Sequence, residues 1–196
     1  MDALNRDLID RALHLLADIL EERKTPFFQL IVCGGSSLIA MELVPRTTRD
    51  VDVLALLGPS GEIIKAKPLP AELAEAAKTV AADLLLDENW LYPVPGDLVV
   101  SGLPEGLEKR LHAKKYGERL TVHFIGRLDQ IYFKVYAAAS DAPGRHSDDL
   151  MALNPTPEEI EAAAGWSLAQ DTSSEFKQIL KDMLGKLGYE DIAERL

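Results

Sequence analysis

Apolar residues recur every three or four positions along several stretches of this chain. Over residues 4–22 they keep that spacing among charged residues, which predicts an amphipathic helix that ends at the Lys24-Thr25-Pro26 break. The same spacing predicts further helices over 36–43, 71–86 and 127–140. Each of these helices therefore has an apolar side to bury.

Short apolar or alternating segments lie between the predicted helices and predict β-strands. They cover residues 27–32, 50–56 and 120–125, with a weaker candidate at 98–100. Residues 58–70 are rich in glycine and proline and predict a loop. Because helices and strands are interspersed, we predict an α/β (α+β) fold in which a small mixed sheet is flanked by helices.

The C-terminal part of the chain differs in charge from the rest. Residues 147–196 contain 4 basic and 11 acidic residues, a net charge of −7. Thr156, Pro157 and Glu159 have the cap, first-turn proline and third-position glutamate of a capping box, and Thr172 and Glu175 repeat the cap-to-glutamate spacing. We predict a core over 1–146, which includes the N-terminal helix, and a C-terminal helical subdomain over 147–196.

Composition narrows the class of protein. The 196 residues are 47% hydrophobic and 27% charged, with a net charge of −11. This charge repels nucleic acid and anionic membranes, which excludes a nonspecific nucleic-acid coat. One cysteine, Cys33, excludes an intrachain disulfide and a multi-cysteine zinc site, and no apolar run reaches the roughly 18 residues of a membrane span. With no signal-peptide pattern at the N-terminus, we expect a soluble cytoplasmic protein.

Two glycines lie between the predicted strand at 27–32 and the helix that follows. Gly34 and Gly35 allow a tight turn and leave amide N–H groups at the helix start to receive phosphate oxygens. The hydroxyls of Ser36 and Ser37 add donors for the same phosphate. The alternative is a purely structural turn.

Two aspartates flank Val51 on the second predicted strand. Asp50 and Asp52 point to one face of the strand, while Val51 and Val53 point to the other. Two carboxylates in one small volume repel each other, and an oxygen-preferring divalent cation, Mg²⁺ or Mn²⁺, relieves that repulsion. The alternative is an exposed strand end with two solvated aspartates.

A lysine and two acids mark a later segment. Lys134 lies in an apolar, alanine-rich helix, where its charge needs a partner or a ligand, and a triphosphate would supply one. The alternative is a lysine that extends along a helix edge to solvent. Asp148 and Asp149 follow Ser147, which alternatively caps a helix with both acids in its first turn.

Three aromatic residues, Trp90, Tyr92 and Trp166, are interpreted as core rather than as base-stacking residues.

The order Gly34-Gly35-Ser36, short helix, Asp50-Val51-Asp52 resembles the signature of the DNA polymerase β-like nucleotidyltransferase superfamily. Within it, the chain resembles the bacterial AbiEii-type nucleotidyltransferases, many of them toxins of toxin–antitoxin pairs, through Arg46-x-Thr48-x-Asp50-x-Asp52, Lys134, Ala137, Arg145 and Asp148-Asp149-Leu150. The resemblance implies that Asp50 and Asp52 bind Mg²⁺ and that the glycine-serine turn, with Arg46, holds a triphosphate. It also implies active-site roles for Lys134, on phosphate, and for Asp149, with Asp148 as the neighbouring candidate.

Many members of that superfamily place a third metal-binding carboxylate on a later strand of the sheet. The predicted strand at 120–125 contains none. Three alternatives remain open: Asp149 or Asp148 takes that place from a helix, Asp97 takes it, or Asp50 and Asp52 bind the metal alone.

We therefore expect a Mg²⁺-dependent nucleotidyltransferase that moves a nucleoside monophosphate from a triphosphate to an acceptor hydroxyl. By resemblance the acceptor is RNA, such as a tRNA 3′ end, and a cognate antitoxin is a partner. Residues 106–134 carry 7 basic and 3 acidic residues, a local charge that favours an RNA end or a triphosphate, unless it is only a solvated surface. The alternatives are an inactive nucleotide-binding or protein-interaction module and transfer to a small molecule such as an aminoglycoside.

Overall fold

The computed structural model describes residues 3–94, 96–140 and 144–196. Within these residues the chain is mixed α/β, with a six-stranded sheet and flanking helices, which confirms the predicted fold class. It divides into two compact units: Met1–Val100 with Gly106–Gly126, and Ser101–Glu105 with Arg127–Leu196. The boundary predicted at Ser147 came from the change in charge and stays a prediction.

A mixed sheet forms the centre of the first unit. Strand β1 (Phe28–Cys33) lies between β2 (Val51–Leu57), to which it is antiparallel, and β6 (Leu120–Phe124), to which it is parallel. The outer strands are β3 (Ile63–Lys65) and β4 (Leu91–Pro93), both paired with β2, and β5 (His112–Lys115), paired with β6. The three strands predicted from the apolar pattern are thus confirmed as the middle of the sheet.

Helices α1 (Arg6–Glu22) and α3 (Ala71–Leu84) follow the apolar spacing that predicted them, and both bury their apolar sides. Helix α2 (Gly34–Ala40) begins two residues before its predicted start, directly after β1. The strand predicted at 98–100 is wrong, because these residues belong to the short helix α4 (Asp97–Ser101). The Val100 amide donates to the Gly96 carbonyl oxygen and so closes a helical turn there. A 3-10 turn follows at Leu107–Arg110.

The second unit is helical. It contains α5 (Arg127–Ser140), α6 (Arg145–Ala152), α7 (Pro157–Gln170), α8 (Ser174–Lys186) and α9 (Glu190–Arg195), with α5 packed against α6, α7 and α8. The capping box at Thr156 is confirmed. The cap before α8 is Ser173 rather than Thr172, since the Ser173 hydroxyl accepts a hydrogen bond from the Phe176 amide. Ser147 is not a cap either, because α6 begins at Arg145.

One negative finding concerns membranes. None of the helices in the described residues combines the length and the apolar character that a bilayer crossing requires. The apolar side chains of α1 and α3 instead form part of the buried core of the first unit, and those of α5, α7 and α8 part of the core of the second.

Candidate functional site

The turn between β1 and α2 brings a carboxylate against a glycine. Gly34 has a φ of +66°, a left-handed conformation that side-chain-bearing residues rarely adopt. A Cβ atom at Gly34 would also overlap the carboxylate of Asp52. Because Asp52 is paired with Cys33 across β1 and β2, the sheet register holds its carboxylate against this turn. Glycine is therefore required at position 34 for both the backbone conformation and the close approach of Asp52.

A cation lies against the next residue of the turn. A Cβ atom at Gly35 would come within 2.8 Å of Nη2 of Arg46 and within 2.9 Å of the Thr48 hydroxyl. The Arg46 guanidinium also donates to the Thr47 carbonyl oxygen at 2.8 Å, which fixes its direction. Three of the predicted site residues, Arg46, Gly35 and Gly34, are therefore together at one turn, with Asp52 beside them.

The alternation predicted for the two aspartates is observed. Val51 and Val53 are fully buried, while Asp52 and Asp50 are half-buried. Asp50 directly precedes β2 rather than starting it, as the predicted strand over 50–56 had it. Since alternate residues of a strand face opposite ways, Asp52 faces the side of the sheet opposite Val51 and Val53, and Asp50 lies just before the strand.

The hydroxyls of the two serines are turned into the protein. Ser36 and Ser37 are both fully buried. The Ser36 hydroxyl donates to the Cys33 carbonyl oxygen at 3.1 Å, and the Ser37 hydroxyl donates to the Ile125 carbonyl oxygen at 2.9 Å. They tie α2 to the ends of β1 and β6, and their contact with a nucleotide stays a prediction.

The aspartate pair fits the modest ligand demand of magnesium. In the described parts of the chain, no group of three or more histidine, cysteine or acidic side chains is arranged to hold a metal ion. Mg²⁺, however, usually keeps several waters and takes one or two protein carboxylates plus the phosphate oxygens of its substrate. Asp50 and Asp52 are both half-buried, and their carboxylates are the kind of ligand that such a site uses. Asp97, one of the candidates for a third carboxylate, is exposed in α4.

Lys134 and Asp149 form a buried ion pair in the second unit. The Lys134 ammonium lies 2.7 Å from Oδ2 of Asp149, and the two residues are 5% and 3% exposed. The expectation that Lys134 needs a partner is confirmed, and the alternative in which it extends to solvent is wrong. Asp148, the neighbouring candidate, is exposed on α6.

The local positive charge of residues 106–134 is largely matched within the protein. All of these residues are described, and four of the seven cations have carboxylate partners: Lys114 with Asp10, Lys115 with Glu118, Arg127 with Glu159, and Lys134 with Asp149. For the exposed cations these contacts favour the alternative of a solvated surface, whereas Lys134 is buried.

A cavity beside Asp50 contains residues that the sequence did not identify. It has a volume of about 520 Å³ and is lined by Asp50 together with Ala3, Leu4, Arg49, Leu86, Asp87, Asn89 and Tyr92. The interpretation of Trp90 as core is confirmed, but that of Tyr92 is wrong, because this residue is 37% exposed. The alternation of β4, a strand of three residues, was the only available signal, and it is too short to recognise.

Searches of protein-family models, of curated proteins and of solved structures return no match for this chain. The resemblance drawn from the motifs therefore stays a prediction. The candidate site consists of the turn at Gly34 and Gly35, of Asp50 and Asp52, and of the cavity beside Asp50.

Proposed function

We propose that this protein is a Mg²⁺-dependent nucleotidyltransferase. The observation that carries the proposal is the packing of the Asp52 carboxylate against Gly34 with the Arg46 guanidinium against Gly35. Transfer of a nucleoside monophosphate needs negative ligands for a cation and a positive group for phosphate oxygens, side by side and close to the backbone. Both kinds of group approach the β1–α2 turn, Asp52 at Gly34 and Arg46 at Gly35.

In the reaction, the acceptor oxygen would form a bond to the α-phosphorus while the bond from that phosphorus to pyrophosphate breaks, and the proton of the acceptor hydroxyl would pass to solvent. Asp50 and Asp52 would hold the metal, which would offset the charge of the triphosphate and of the leaving pyrophosphate. Arg46 offers a planar guanidinium, which suits bidentate binding of phosphate oxygens. The roles that the resemblance gives to Lys134 and Asp149, on phosphate and as base or third acid, stay predictions.

The test uses α-labelled nucleoside triphosphates with Mg²⁺ and a panel of acceptors, namely total RNA, purified tRNA and an aminoglycoside. We expect label to pass to one acceptor class. Asp52→Asn should slow transfer at least about 100-fold, because a lost metal ligand costs at least as much as a lost outer-shell partner. Asp18→Asn, which removes an exposed carboxylate of α1, is the matched control and should transfer as the wild type does.

Two results would overturn the proposal: no transfer with any nucleotide and acceptor, or equal transfer by Asp52→Asn and wild type. The same panel decides among the finer predictions. An RNA acceptor, a toxin role and an antitoxin partner all come from the resemblance. The net charge of −11, in contrast, is better matched to a cationic small-molecule acceptor than to RNA.

A nucleotide-binding module without turnover is the second candidate. Two observations favour it: the hydroxyls of Ser36 and Ser37 are engaged by backbone carbonyl oxygens, and Lys134 is already paired with Asp149. Calorimetry with a triphosphate separates the candidates. Tight binding that depends on neither Mg²⁺ nor Asp50 and Asp52 supports the module, and binding that requires them supports the transferase.

A further inference from the structure

The cavity beside Asp50 has the size and the lining of a small-molecule site. Its volume of about 520 Å³ lies within the range of ligand pockets, which bury mostly apolar surface and present a few polar groups. Ala3 and Leu86 supply aliphatic surface, Tyr92 supplies an aromatic ring, and the polar groups belong to Arg49, Asp50, Asp87 and Asn89.

The fold holds the ring of Tyr92 on the carboxylate side of the sheet. Trp90 is fully buried, and its indole N–H donates to the Ala77 carbonyl oxygen at 2.9 Å, which anchors the chain that leads into β4. In the parallel pairing of β4 with β2, Leu91 lies opposite Val51 and Tyr92 lies opposite Asp52. Paired residues of adjacent strands share a face, so Tyr92 projects on the same side as Asp52, and it lines the cavity together with Asp50.

The exposed ring is an electron-rich surface beside a charged site. The Lys67 ammonium lies 5.9 Å from the centroid of Tyr92, at a distance where a cation is attracted by the ring face. Aromatic rings of this kind stack on nucleobases, because every base has a flat π-surface.

The Asp87 carboxylate at the edge of the cavity favours ligands that carry hydrogen-bond donors. Asp87 is half-buried, and its Oδ1 accepts a hydrogen bond from the Asn89 amide at 2.9 Å, which fixes the direction of the carboxylate. An ionised carboxylate only accepts hydrogen bonds. A ligand group that meets Asp87 must therefore present N–H donors rather than carbonyl oxygens.

We propose that this cavity binds the base of the nucleotide, with Tyr92 stacked on the base and Asp87 accepting from its amino group. Guanine, adenine and cytosine carry an exocyclic amino group, and uracil has none, since its N–H at N3 lies between two carbonyl oxygens. The inference rests on the proposed function, since Asp50 connects this cavity to the aspartate pair that holds the metal. It goes further by naming the base site and the class of base.

The test is binding of nucleoside monophosphates followed by saturation-transfer difference NMR, with a chelator present so that no metal contributes. Saturation should reach the base protons of GMP, AMP or CMP more strongly than those of UMP. Tyr92→Ala should weaken binding of the preferred base about tenfold, as expected for one lost stacking contact, while Tyr92→Phe keeps the ring and the affinity. Phe27→Ala removes another exposed aromatic side chain of the same unit and is the matched control.

Two results would overturn the base site: unchanged affinity in a Tyr92→Ala protein with a wild-type circular dichroism spectrum, or UMP binding as tightly as the other three. If Tyr92→Ala fails to fold, Asp87→Asn replaces it as the deciding variant. The side-chain amide of this variant can donate to a carbonyl oxygen of uracil, while its side-chain oxygen still accepts from the backbone N–H of Asn89. The preference against UMP should then fall, and an unchanged preference contradicts the proposal.

The transfer assay keeps this inference separate from the proposed function. Suppose that the wild-type protein transfers no label but saturates the base protons of its ligand, and that Tyr92→Ala loses this saturation. That result overturns the transferase and supports the base site. Transfer that is lost in Asp52→Asn, with an unchanged KM for the triphosphate in Tyr92→Ala, overturns the base site and leaves the transferase intact.

Discussion

Two groups of charged residues, one in each unit, differ in their burial. In the first unit, Asp52 in the central strand β2 and Asp50 and Arg46 before it are all half-buried. In the second, Lys134 and Asp149 are almost completely buried and face each other at 2.7 Å. Half-buried groups can exchange their contacts for those of a ligand at little cost, whereas a buried pair is costly to open. This difference in burial is why we propose ligand binding for the first group and expect the second to contribute to stability.

The largest effect is expected from opening the buried pair. Lys134→Ala leaves the Asp149 carboxylate buried without its ammonium partner, and should lower the free energy of unfolding by about 3–5 kcal/mol. Urea denaturation followed by far-ultraviolet circular dichroism measures this loss. Lys115→Ala breaks the exposed pair with Glu118, which solvent screens, and should lower the free energy of unfolding far less than Lys134→Ala does.

Equal losses in the two variants would show that burial does not distinguish the pairs. The double replacement Lys134→Met with Asp149→Leu sharpens the comparison. It removes both charges and keeps apolar volume, so it should recover most of the stability that Lys134→Ala loses.

The next effect concerns the turn in the first unit. Gly34→Ala should destabilise the protein by more than the roughly 1–2 kcal/mol that a left-handed backbone costs a side-chain-bearing residue, because the new Cβ also displaces the Asp52 carboxylate. Gly61 also has a positive φ, +83°, but nothing lies within 4 Å of the position of its Cβ. Gly61→Ala should therefore show the backbone cost alone.

The difference between these two glycine variants, measured by thermal and urea unfolding, isolates the contact with Asp52. Triphosphate binding should also weaken in Gly34→Ala and stay unchanged in Gly61→Ala. Identical behaviour of the two variants would remove the structural basis of the candidate site.

The sequence predicted the parts of the fold that have a clear period. The apolar spacing of α1, α3 and α5 marks helices because each has a continuous buried side. The strands of three or four residues, β3, β4 and β5, could not be predicted, since they exist through pairing with β2 and β6. Alternation over so few residues carries little information.

The candidate site was predictable to a similar extent. The alternation of Asp50 and Asp52 with Val51 and Val53 predicted which side chains are buried, because strand geometry fixes it. The hydroxyls of Ser36 and Ser37 were expected to face a phosphate, yet they donate to carbonyl oxygens, since a residue type does not determine where its side chain points. Tyr92 was missed because its exposure depends on β4.

A smaller effect should appear in the pH dependence of the free energy of unfolding, through the Arg127–Glu159 pair of the second unit. The Arg127 guanidinium, which donates to both carboxylate oxygens of Glu159 at 2.7 and 2.9 Å, holds the pKa of that carboxyl below its ordinary value of 4.5. A lowered pKa contributes stability above pH 4.5, and that contribution is lost as the pH falls through the lowered value. Glu159→Gln should cost about 1 kcal/mol at pH 7.

Stability curves of Glu159→Gln and wild type should therefore converge as the pH falls below the ordinary pKa of 4.5 and through the lowered value. Glu194→Gln removes an exposed carboxylate of the same unit and should follow the wild-type curve throughout. A constant gap between Glu159→Gln and wild type would mean that the carboxylate charge is not what stabilises this contact.

Metal binding at Asp50 and Asp52 tests the proposed Mg²⁺-dependent transferase most directly. Electron paramagnetic resonance of Mn²⁺, titrated with a triphosphate analogue that cannot be transferred, reports bound metal without any acceptor. We expect the analogue to tighten Mn²⁺ binding to the wild type. We also expect Asp50→Asn with Asp52→Asn to weaken this binding at least about tenfold. Equal Mn²⁺ binding by wild type and the double variant would contradict the proposed metal site at Asp50 and Asp52.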